Sequence, residues 1–265
     1  MPDILCEIDR GVALLTLNRP DSLNAWTPDM EDEWNDFLDS LAVDPAVRVL
    51  VVTGAGKHFC PGLDIKLLAQ RSAAGIVPPK RQRPLTAVAD YPKPVIGAIN
   101  GACIGLALAW AAAFDIRFGS TTTKLSAPFA RRGLVAEFAT GWTLPRLIGH
   151  ANAMDLLISG RTIEADEALS MGLLNRVVAP DELVPAALDY AREIAELCSP
   201  TAMATAKAQV AGDWNRSRAE AERHSRELWE QDAQRVDFAE GIAANRERRS
   251  PNFAPLAPAW PPNAV

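Results

Sequence analysis

Apolar and polar residues alternate along the start of the chain and then give way to longer apolar runs. Residues 4–20 alternate around Arg10 and Gly11, which predicts a β-hairpin. Four later runs have the apolar, partly β-branched character of strands buried on both faces: 47–54, 94–100, 114–120 and 173–178. Helical patterns separate these runs. The pattern therefore predicts an α/β or layered α+β fold.

Local signals place a helix and a loop between these strands. Thr27 followed by Pro28 is a typical helix start, because the hydroxyl can cap the helix and proline suits its first position. We predict that this helix runs to about Leu41. Residues 70–84 are rich in Gly, Pro and basic side chains, which predicts a mobile loop. That loop is either a solvated surface segment or a lid over a substrate.

The character of the chain changes after residue 180. Three helical stretches are predicted there, at 181–198, about 200–211 and about 214–248, and the last is dense in Glu and Arg. We therefore divide the chain into a core, residues 1–195, and a helical region, residues 196–265. The helical region is expected to serve oligomerisation or to act as a lid.

Composition narrows the class of protein. The chain has 265 residues, 48% hydrophobic and 23% charged, which is enough for a sizeable core. A net charge of -6 argues against nucleic acid as a partner. No apolar run reaches the roughly 20 residues that span a bilayer, and no secretory signal is visible. Four scattered cysteines and three histidines without metal-site spacing indicate a cytoplasmic protein with no bound metal.

Common cofactor and nucleophile motifs are absent from the sequence. The stretch GAGKH, residues 54–58, lacks the first glycine of a phosphate loop, and it does not fit a dinucleotide fingerprint. Cys60 is a nucleophile by type, but no histidine partner can be assigned to it. The alternative is a buried structural thiol. We expect no cofactor.

Two glycine-rich turns remain as candidates for chemistry. The stretch TGAGKHFCPGLDIKLL, residues 53–68, leads from a buried strand to a helix that begins near Asp64. The stretch NGACIGLALAW, residues 100–110, leads to an apolar helix that opens at Gly105. The first N–H groups of a helix are unpaired, so two such turns aimed at one oxygen would form an oxyanion hole. The alternative is two ordinary strand-to-helix turns that need glycine for steric reasons.

At this point the sequence resembles the crotonase, or enoyl-CoA hydratase/isomerase, superfamily. The resemblance runs in order from about residue 4 to residue 253. It rests on LNRPDSLNAW, VRVLVVTGAGKHFCPGLDIKLL, KPVIGAINGACIG, LALAWAAAFDIRFGS, GWTLPRLIGHANAMDLLISGRTIEADEALSMGLLNRVV and EGIAANRERRSPNF. Each piece alone is unspecific, but the combination is highly specific.

The resemblance implies a fold and a ligand. The fold is a spiral of repeated ββα units with a helical C-terminal region that packs trimers, often paired into hexamers. The ligand is an acyl-CoA thioester, so that coenzyme A is part of the substrate. Two backbone N–H groups hold the thioester oxygen while an enolate-like state forms, and by position these belong to Leu63 and Leu106. The residues that the resemblance places against substrate or CoA are Leu63, Asp64, Ile65, Lys66, Leu106, Phe129, Trp142 and Phe253.

The acids of the resembling hydratases are missing here. Those enzymes use two glutamates, at positions that carry Ala109 and Phe129 in this chain. Glu137 lies four residues after Gly133, an offset at which some members of the superfamily carry a reactive carboxylate. Apolar neighbours in the sequence would raise its pKa toward a useful range. The alternative is a glutamate at a helix start without a chemical role.

Several smaller roles stay open in the sequence. Asp64 either caps the following helix or supplies a second carboxylate near the oxyanion hole. Lys66, together with the basic residues from Lys80 to Arg83, either meets CoA phosphates or is merely solvated. Asp115 is expected to be structural, paired with Arg117.

One carboxylate suffices for moving a double bond from β,γ to α,β, because one base can take a proton from C2 and return it at C4. We therefore predict an isomerase-like reaction with Glu137 as the acid/base. The alternatives are a hydratase, hydrolase, lyase or dehalogenase that uses Glu137 with water or as a nucleophile. A further alternative is a catalytically silent acyl-CoA-binding protein.

Overall fold

The computed structural model describes residues 2–74 and 83–257. Its strands are β1 Ile4–Asp9, β2 Val12–Leu17, β3 Val49–Gly54, β4 Val95–Ile99, β5 Ala102–Ile104, β6 Ile116–Ser120, β7 Lys124–Ser126, β8 Thr162–Glu164 and β9 Arg176–Val178. Its α-helices are α1 Pro28–Val43, α2 Ile65–Ala73, α3 Leu106–Ala112, α4 Thr140–Ser159, α5 Ala165–Ser170, α6 Leu183–Leu197, α7 Pro200–Asp213, α8 Arg218–Asp232 and α9 Val236–Glu247. Short 3-10 helices span Pro20–Ser22, Leu85–Asp90 and Ala130–Arg132.

The predicted hairpin and first helix are confirmed. Strands β1 and β2 pair antiparallel, and Arg10 and Gly11 at the turn both have positive φ, as a tight two-residue hairpin turn requires. The hydroxyl of Thr27 accepts a hydrogen bond from the Met30 N–H at 3.1 Å, which caps α1. The helix ends at Val43, two residues beyond the predicted end.

A six-stranded sheet forms the centre of the fold, in the order β1-β2-β3-β4-β6-β9, and it is parallel from β2 onward. Every residue of β3 is buried, because both faces of the sheet are covered. Val49 and Val51 pack with α6 on one face, while Leu50 and Val52 pack with α1 and α3 on the other. This alternation fixes the register of the central strand.

A second, smaller sheet positions the candidate site. It has the order β5-β7-β8, with β5 and β7 parallel and β8 antiparallel to β7. Cys60 joins its open edge through a parallel bridge to Cys103. These paired sheets with intervening helices confirm the predicted α/β spiral with a helical C-terminal region.

The C-terminal helices differ in part from the prediction. Helix α6 presents buried residues four apart, Leu183, Ala187, Ala191 and Ala195, to the central sheet, so it belongs to the core layer. The single helix predicted over 214–248 is wrong, because residues 233–235 interrupt it and separate α8 from α9. The division into 1–195 and 196–265 stays a prediction. No helix among the described residues has both the length and the hydropathy to cross a membrane.

The predicted loop over 70–84 begins later than expected. Residues 70–73 still belong to α2, and residues 75–82 lie outside the described part of the chain. Lys80 therefore cannot be placed against a ligand. Arg83, at the far end of this segment, forms an ion pair with Asp39 at 2.8 Å.

Candidate active site

The first glycine turn is held against Trp26 by backbone hydrogen bonds on either side of Leu63. The Trp26 N–H donates to the Gly62 carbonyl at 2.8 Å, and the Asp64 N–H donates to the Trp26 carbonyl at 3.0 Å. In such a parallel bridge the residue between the two bonded groups directs its own N–H to the opposite side. Within the described residues, the Leu63 N–H donates no recorded hydrogen bond. It is available to an external acceptor.

A buried asparagine fixes the loop that leads into this turn. The Asn24 side chain, which is fully buried, donates to the carbonyls of Ala55 and His58 at 2.9 and 2.7 Å. Its own carbonyl accepts from the Arg19 N–H at 2.9 Å. The Asn24 amide thereby satisfies two partly buried carbonyls of the loop after β3. It attaches residues 55–58 to the segment between the first 3-10 helix and α1.

The second turn depends on the backbone of Gly105. This residue has φ 62 and ψ -116, a conformation that residues with a Cβ rarely adopt. Its N–H donates to the Ser126 carbonyl at 2.8 Å, and its carbonyl accepts from the Ala109 N–H at 3.0 Å. Helix α3 begins directly afterwards, so the Leu106 N–H is the first of its unpaired amide groups.

The two turns lie side by side. The Cys60 N–H donates to the Ala102 carbonyl at 2.9 Å, and the Ile104 N–H donates to the Cys60 carbonyl at 3.1 Å. A Cβ added to Gly62 would stand 3.0 Å from the Ile104 carbonyl oxygen and 3.9 Å from the Leu106 nitrogen. The structure thus brings the predicted donor segments of Leu63 and Leu106 into contact. Two free N–H groups in such an arrangement are suited to a developing oxyanion.

The two hydratase acid positions are filled by buried apolar side chains. Ala109 lies in α3 and is 1% exposed, and Phe129 is 5% exposed. Phe129 follows β7, which runs parallel to β5, so the chain leaves both strands at the same end of the small sheet. Phe129 therefore follows its strand at the sheet end where the Leu106 turn also begins.

Glu137 lies in the loop between Phe129 and α4. The Phe129 carbonyl accepts from the N–H groups of Arg132 and Leu134, both at 2.9 Å, and closes the first part of the loop. The Glu137 carbonyl accepts from the hydroxyl and the N–H of Thr140, at 2.7 and 3.0 Å. Phe138 and Ala139 between them have φ of 53 and 57. Two successive non-glycine residues in this left-handed region store strain.

The expected apolar setting of Glu137 is present only in part. Phe138 packs against the core, but Leu134 and Val135 are 48% and 79% exposed. The Glu137 side chain itself is half-buried. Residues 133–136 are exposed, which sequence spacing alone does not reveal.

Trp142 lies on the exposed side of α4 and has partners that the sequence did not indicate. Its ring centroid is 4.9 Å from that of Trp214, after α7, and the Arg146 guanidinium stacks over it at 4.1 Å. This cluster joins the helix after Glu137 to the C-terminal helices. The position of the Arg146 guanidinium over the Trp142 ring is that of a cation–π pair.

The other predicted residues near the first turn lie at the start of α2. The Asp64 carboxylate forms an ion pair with Arg19 at 3.4 Å. Ile65 and Lys66 begin α2 and are exposed. Burial raises the pKa of the Cys60 thiol to about 12, which favours the structural thiol over the nucleophile.

Asp115 has a different partner from the predicted one. Its carboxylate accepts from the Val95 N–H at 2.7 Å and pairs with Lys207 of α7 at 2.9 Å. Arg117 instead donates to the carbonyls of Leu173 and Phe114. The structural role is consistent with these contacts, but the pairing with Arg117 is wrong, because the side chain of Lys207 arrives from a distant helix.

Phe253 lies among the C-terminal helices. Its side chain is 8% exposed, and its carbonyl accepts from Arg48 at 2.7 Å. It lines a cavity of about 750 Å³ together with Phe238 and Ile242 of α9. Among the described residues that line this cavity, none belongs to the two turns or to the Glu137 loop. Residues 2–74 and 83–257 contain no group of acidic, His and Cys side chains that could hold a metal ion.

Comparison with known proteins places this geometry in a family. Residues 7–255 match the sequence profile of the enoyl-CoA hydratase/isomerase family. A probable enoyl-CoA hydratase of Mycobacterium leprae is 34% identical over 250 residues, covering 94% of this chain and 97% of the relative. The 1,2-epoxyphenylacetyl-CoA isomerase of Escherichia coli is 32% identical over 266 residues, covering 96% and 98%.

Solved structures agree with the sequence relatives. The crystal structure of a probable enoyl-CoA hydratase/isomerase from Mycobacterium abscessus superimposes with a TM-score of 0.87 at 31% identity. The superposition covers 97% of this chain and 100% of that chain. The two adjacent turns, the paired sheets and these matches together show that the chain belongs to the enoyl-CoA hydratase/isomerase family and is an enzyme of that family.

Proposed function

We propose that this enzyme binds an acyl-CoA thioester with its carbonyl oxygen between the N–H groups of Leu63 and Leu106. The contact between the two turns, with both amides free of recorded partners in the described chain, is the observation that carries this proposal. Negative charge that develops on the thioester oxygen is stabilised by the two donors. The C2 proton of the acyl group becomes acidic as a result.

Glu137 is proposed as the single acid/base, and the reaction as migration of a double bond from β,γ to α,β. The carboxylate takes a proton from C2 to form the enolate-like state, and the resulting acid returns the proton at C4. Support comes from the apolar residues at the two hydratase positions, Ala109 and Phe129, and from the strained turn that follows Glu137. The relative from Escherichia coli is named an isomerase of an epoxidised acyl-CoA, which supports isomerisation of a CoA thioester in general but names no double-bond migration.

The test uses purified protein with 3-enoyl-CoA thioesters of several chain lengths. We expect conversion to the conjugated 2-enoyl-CoA, and we expect Glu137→Gln to lower kcat by roughly 10³-fold, because the only base is removed. Glu164→Gln is the matched control, since Glu164 lies on β8 of the same small sheet and pairs only with exposed Lys124 among the recorded ion pairs of the described residues. Equal activity of both variants would exclude Glu137 as the base.

Addition of water remains a second candidate, because relatives such as that from Mycobacterium leprae are named hydratases. In this case Glu137 would activate the water. Incubation with 2-enoyl-CoA separates the two reactions, since hydration consumes the conjugated thioester and isomerisation produces it. A wild-type protein that binds acyl-CoA and turns over neither thioester would contradict both proposals.

We propose further that Lys66, exposed on the first turn of α2, contacts the CoA part of the substrate. In this proposal no cofactor takes part, since coenzyme A belongs to the substrate. A homotrimer or a hexamer of two trimers is supported by exposed apolar side chains on α8 and α9, among them Trp229, Phe238 and Ile242. Light scattering after gel filtration measures this state. The free cysteines fit a reducing cytoplasm.

A further inference from the structure

A cluster of aromatic rings lies beneath the two turns, and Trp110 is its centre. Trp110 belongs to α3 and is fully buried. Its ring centroid lies 4.9 Å from that of Trp26 and 5.7 Å from that of Phe59. Trp34 of α1, at 4.8 Å, and Phe114, at 5.0 Å, complete the surroundings. Trp110 thus contacts four aromatic side chains from different parts of the chain.

Two of these contacts reach the first turn directly. Trp26 holds the residues on either side of Leu63 through its own N–H and carbonyl groups. Phe59 precedes Cys60, whose backbone bonds tie the first turn to residues 102–104. A displacement of either ring is therefore transmitted to the backbone that carries the Leu63 donor.

On the other side, Trp110 is part of the second turn's own helix. It lies four residues after Leu106, one turn along α3, and α3 contains only seven residues. A helix this short moves as one body, so the position of the Trp110 ring sets the position of the Leu106 donor. No side chain caps the start of α3. Packing of the ring is accordingly a main constraint on the helix start, beside the Gly105–Ser126 hydrogen bond.

The size of the Trp110 ring, and not its polar N–H group, explains why this residue occupies the position. Its indole N–H is buried and has no hydrogen-bond partner in the described part of the protein. A buried donor without a partner is unfavourable, so the residue is not explained by a polar contact. What remains is the large ring, which spans the distance between α3 and the first turn.

We propose that Trp110 is a positioning residue that sets the separation of the Leu63 and Leu106 donors. It acts through Trp26 and Phe59 and does not touch the substrate. The inference rests on the proposed oxyanion site. It is independent of the reaction that follows enolate formation. The carbonyl-stretch measurement below is also independent of Glu137, whereas C2 exchange needs a base.

The test compares Trp110→Phe with Phe118→Leu. Both changes shrink a fully buried aromatic side chain, but Phe118 lies on β6 in the core layer beneath α6, where its ring packs against Tyr190 and not against the cluster around Trp110. One measurement is the exchange of the C2 protons of acetyl-CoA and octanoyl-CoA with deuterated water. The other is the infrared carbonyl stretch of the same bound thioesters, isotopically labelled at the carbonyl carbon.

For Trp110→Phe we expect C2 exchange to slow roughly tenfold, because small displacements of donors weaken catalysis strongly. The carbonyl stretch should move toward that of the free thioester, while CoA affinity stays within about twofold of wild type. Phe118→Leu should leave exchange and stretch unchanged even where it lowers the melting temperature, because Phe118 belongs to the other core cluster. Equal effects of the two variants, or no effect of Trp110→Phe, overturn the inference.

A second variant covers the case in which Trp110→Phe does not fold. Trp26→Phe shortens the ring that meets Trp110 and leaves the backbone bonds beside Leu63 intact, so it should produce the same shift of the carbonyl stretch. If wild-type protein neither polarises the bound carbonyl nor exchanges the C2 protons, the proposed function itself fails, and the inference with it. If wild type does both and the variants behave like wild type, only the role of Trp110 is lost.

Discussion

The two donor turns and the Glu137 loop are built in opposite ways. The turns lie above a buried aromatic cluster, and backbone hydrogen bonds to Trp26, Ala102 and Ser126 fix them. The loop is open to solvent at Leu134 and Val135, and two strained residues follow its carboxylate. In the proposed function, polarisation of the thioester therefore depends on the rigid part of the fold. The proposed proton-transfer group depends on a segment that tolerates change.

The largest effect on this difference between the rigid turns and the open loop is expected from a change at Gly105. Gly105→Ala places a Cβ at φ 62 and ψ -116, where no atom lies within 4 Å, so the cost is backbone strain alone. We expect a loss of about 1–3 kcal/mol in the free energy of unfolding. C2 proton exchange should fall by roughly 10²-fold, because the Leu106 donor moves.

Gly149→Ala is the matched control for this change. Gly149 also has positive φ, at 76, and open space around its Cβ, but it lies at the kink of α4. It should lose similar stability in urea unfolding and keep its exchange rate. If the two variants lose activity to the same extent, Gly105 has no particular bearing on the donor.

A smaller effect is expected from a change at Thr140, which contacts the Glu137 loop. Thr140→Val removes the hydroxyl that donates to the Glu137 carbonyl at 2.7 Å and leaves the shape of the side chain. We expect kcat to fall roughly tenfold at unchanged KM, with about 1 kcal/mol lost in stability. Thr140→Ser keeps the hydroxyl and should restore kcat. Kinetics in which Ser and Val behave alike would show that this hydrogen bond does not position Glu137.

The smallest effect should follow from Asp64→Asn, a change beside the first donor. Asp64 and Arg19 form a partly screened ion pair, so the loss of stability should be about 1 kcal/mol or less. We expect kcat for 3-enoyl-CoA to stay within about threefold of wild type, since no proton transfer is assigned to Asp64. A loss as large as that of Glu137→Gln would identify Asp64 as the base instead.

The parts of the fold with strong local signals were predictable. The hairpin, α1 and the central strands follow from alternation, a capping threonine and continuous apolar runs, and all are confirmed. The strands β5, β7 and β8 were missed, because three residues are too few to show a period. These are the strands that bring the second turn next to Phe129.

Long-range side-chain partners were not predictable. Lys207 reaches Asp115 across 92 positions, and nothing local indicates it. The interruption between α8 and α9 contains neither Gly nor Pro, so a single helix was predicted there. Glycine-rich strand-to-helix patterns located the two candidate turns, and the resemblance to a family assigned their donors to Leu63 and Leu106. The contacts of Trp110 and Thr140 emerge only from packing. The catalytic roles of Leu63, Leu106 and Glu137 stay predictions until the experiments are done.

The proposed donors at Leu63 and Leu106 belong to the main chain, and this has a consequence for mutational robustness. Any residue except proline supplies an N–H at these positions, so side-chain mutations there cannot delete the donor. Both side chains pack with the hydrophobic core, so folding restricts these positions to apolar residues of suitable size. Within that range, acyl preference can drift at both sites over many generations without loss of the proposed reactivity. Such a scaffold allows new substrates to be acquired by single substitutions.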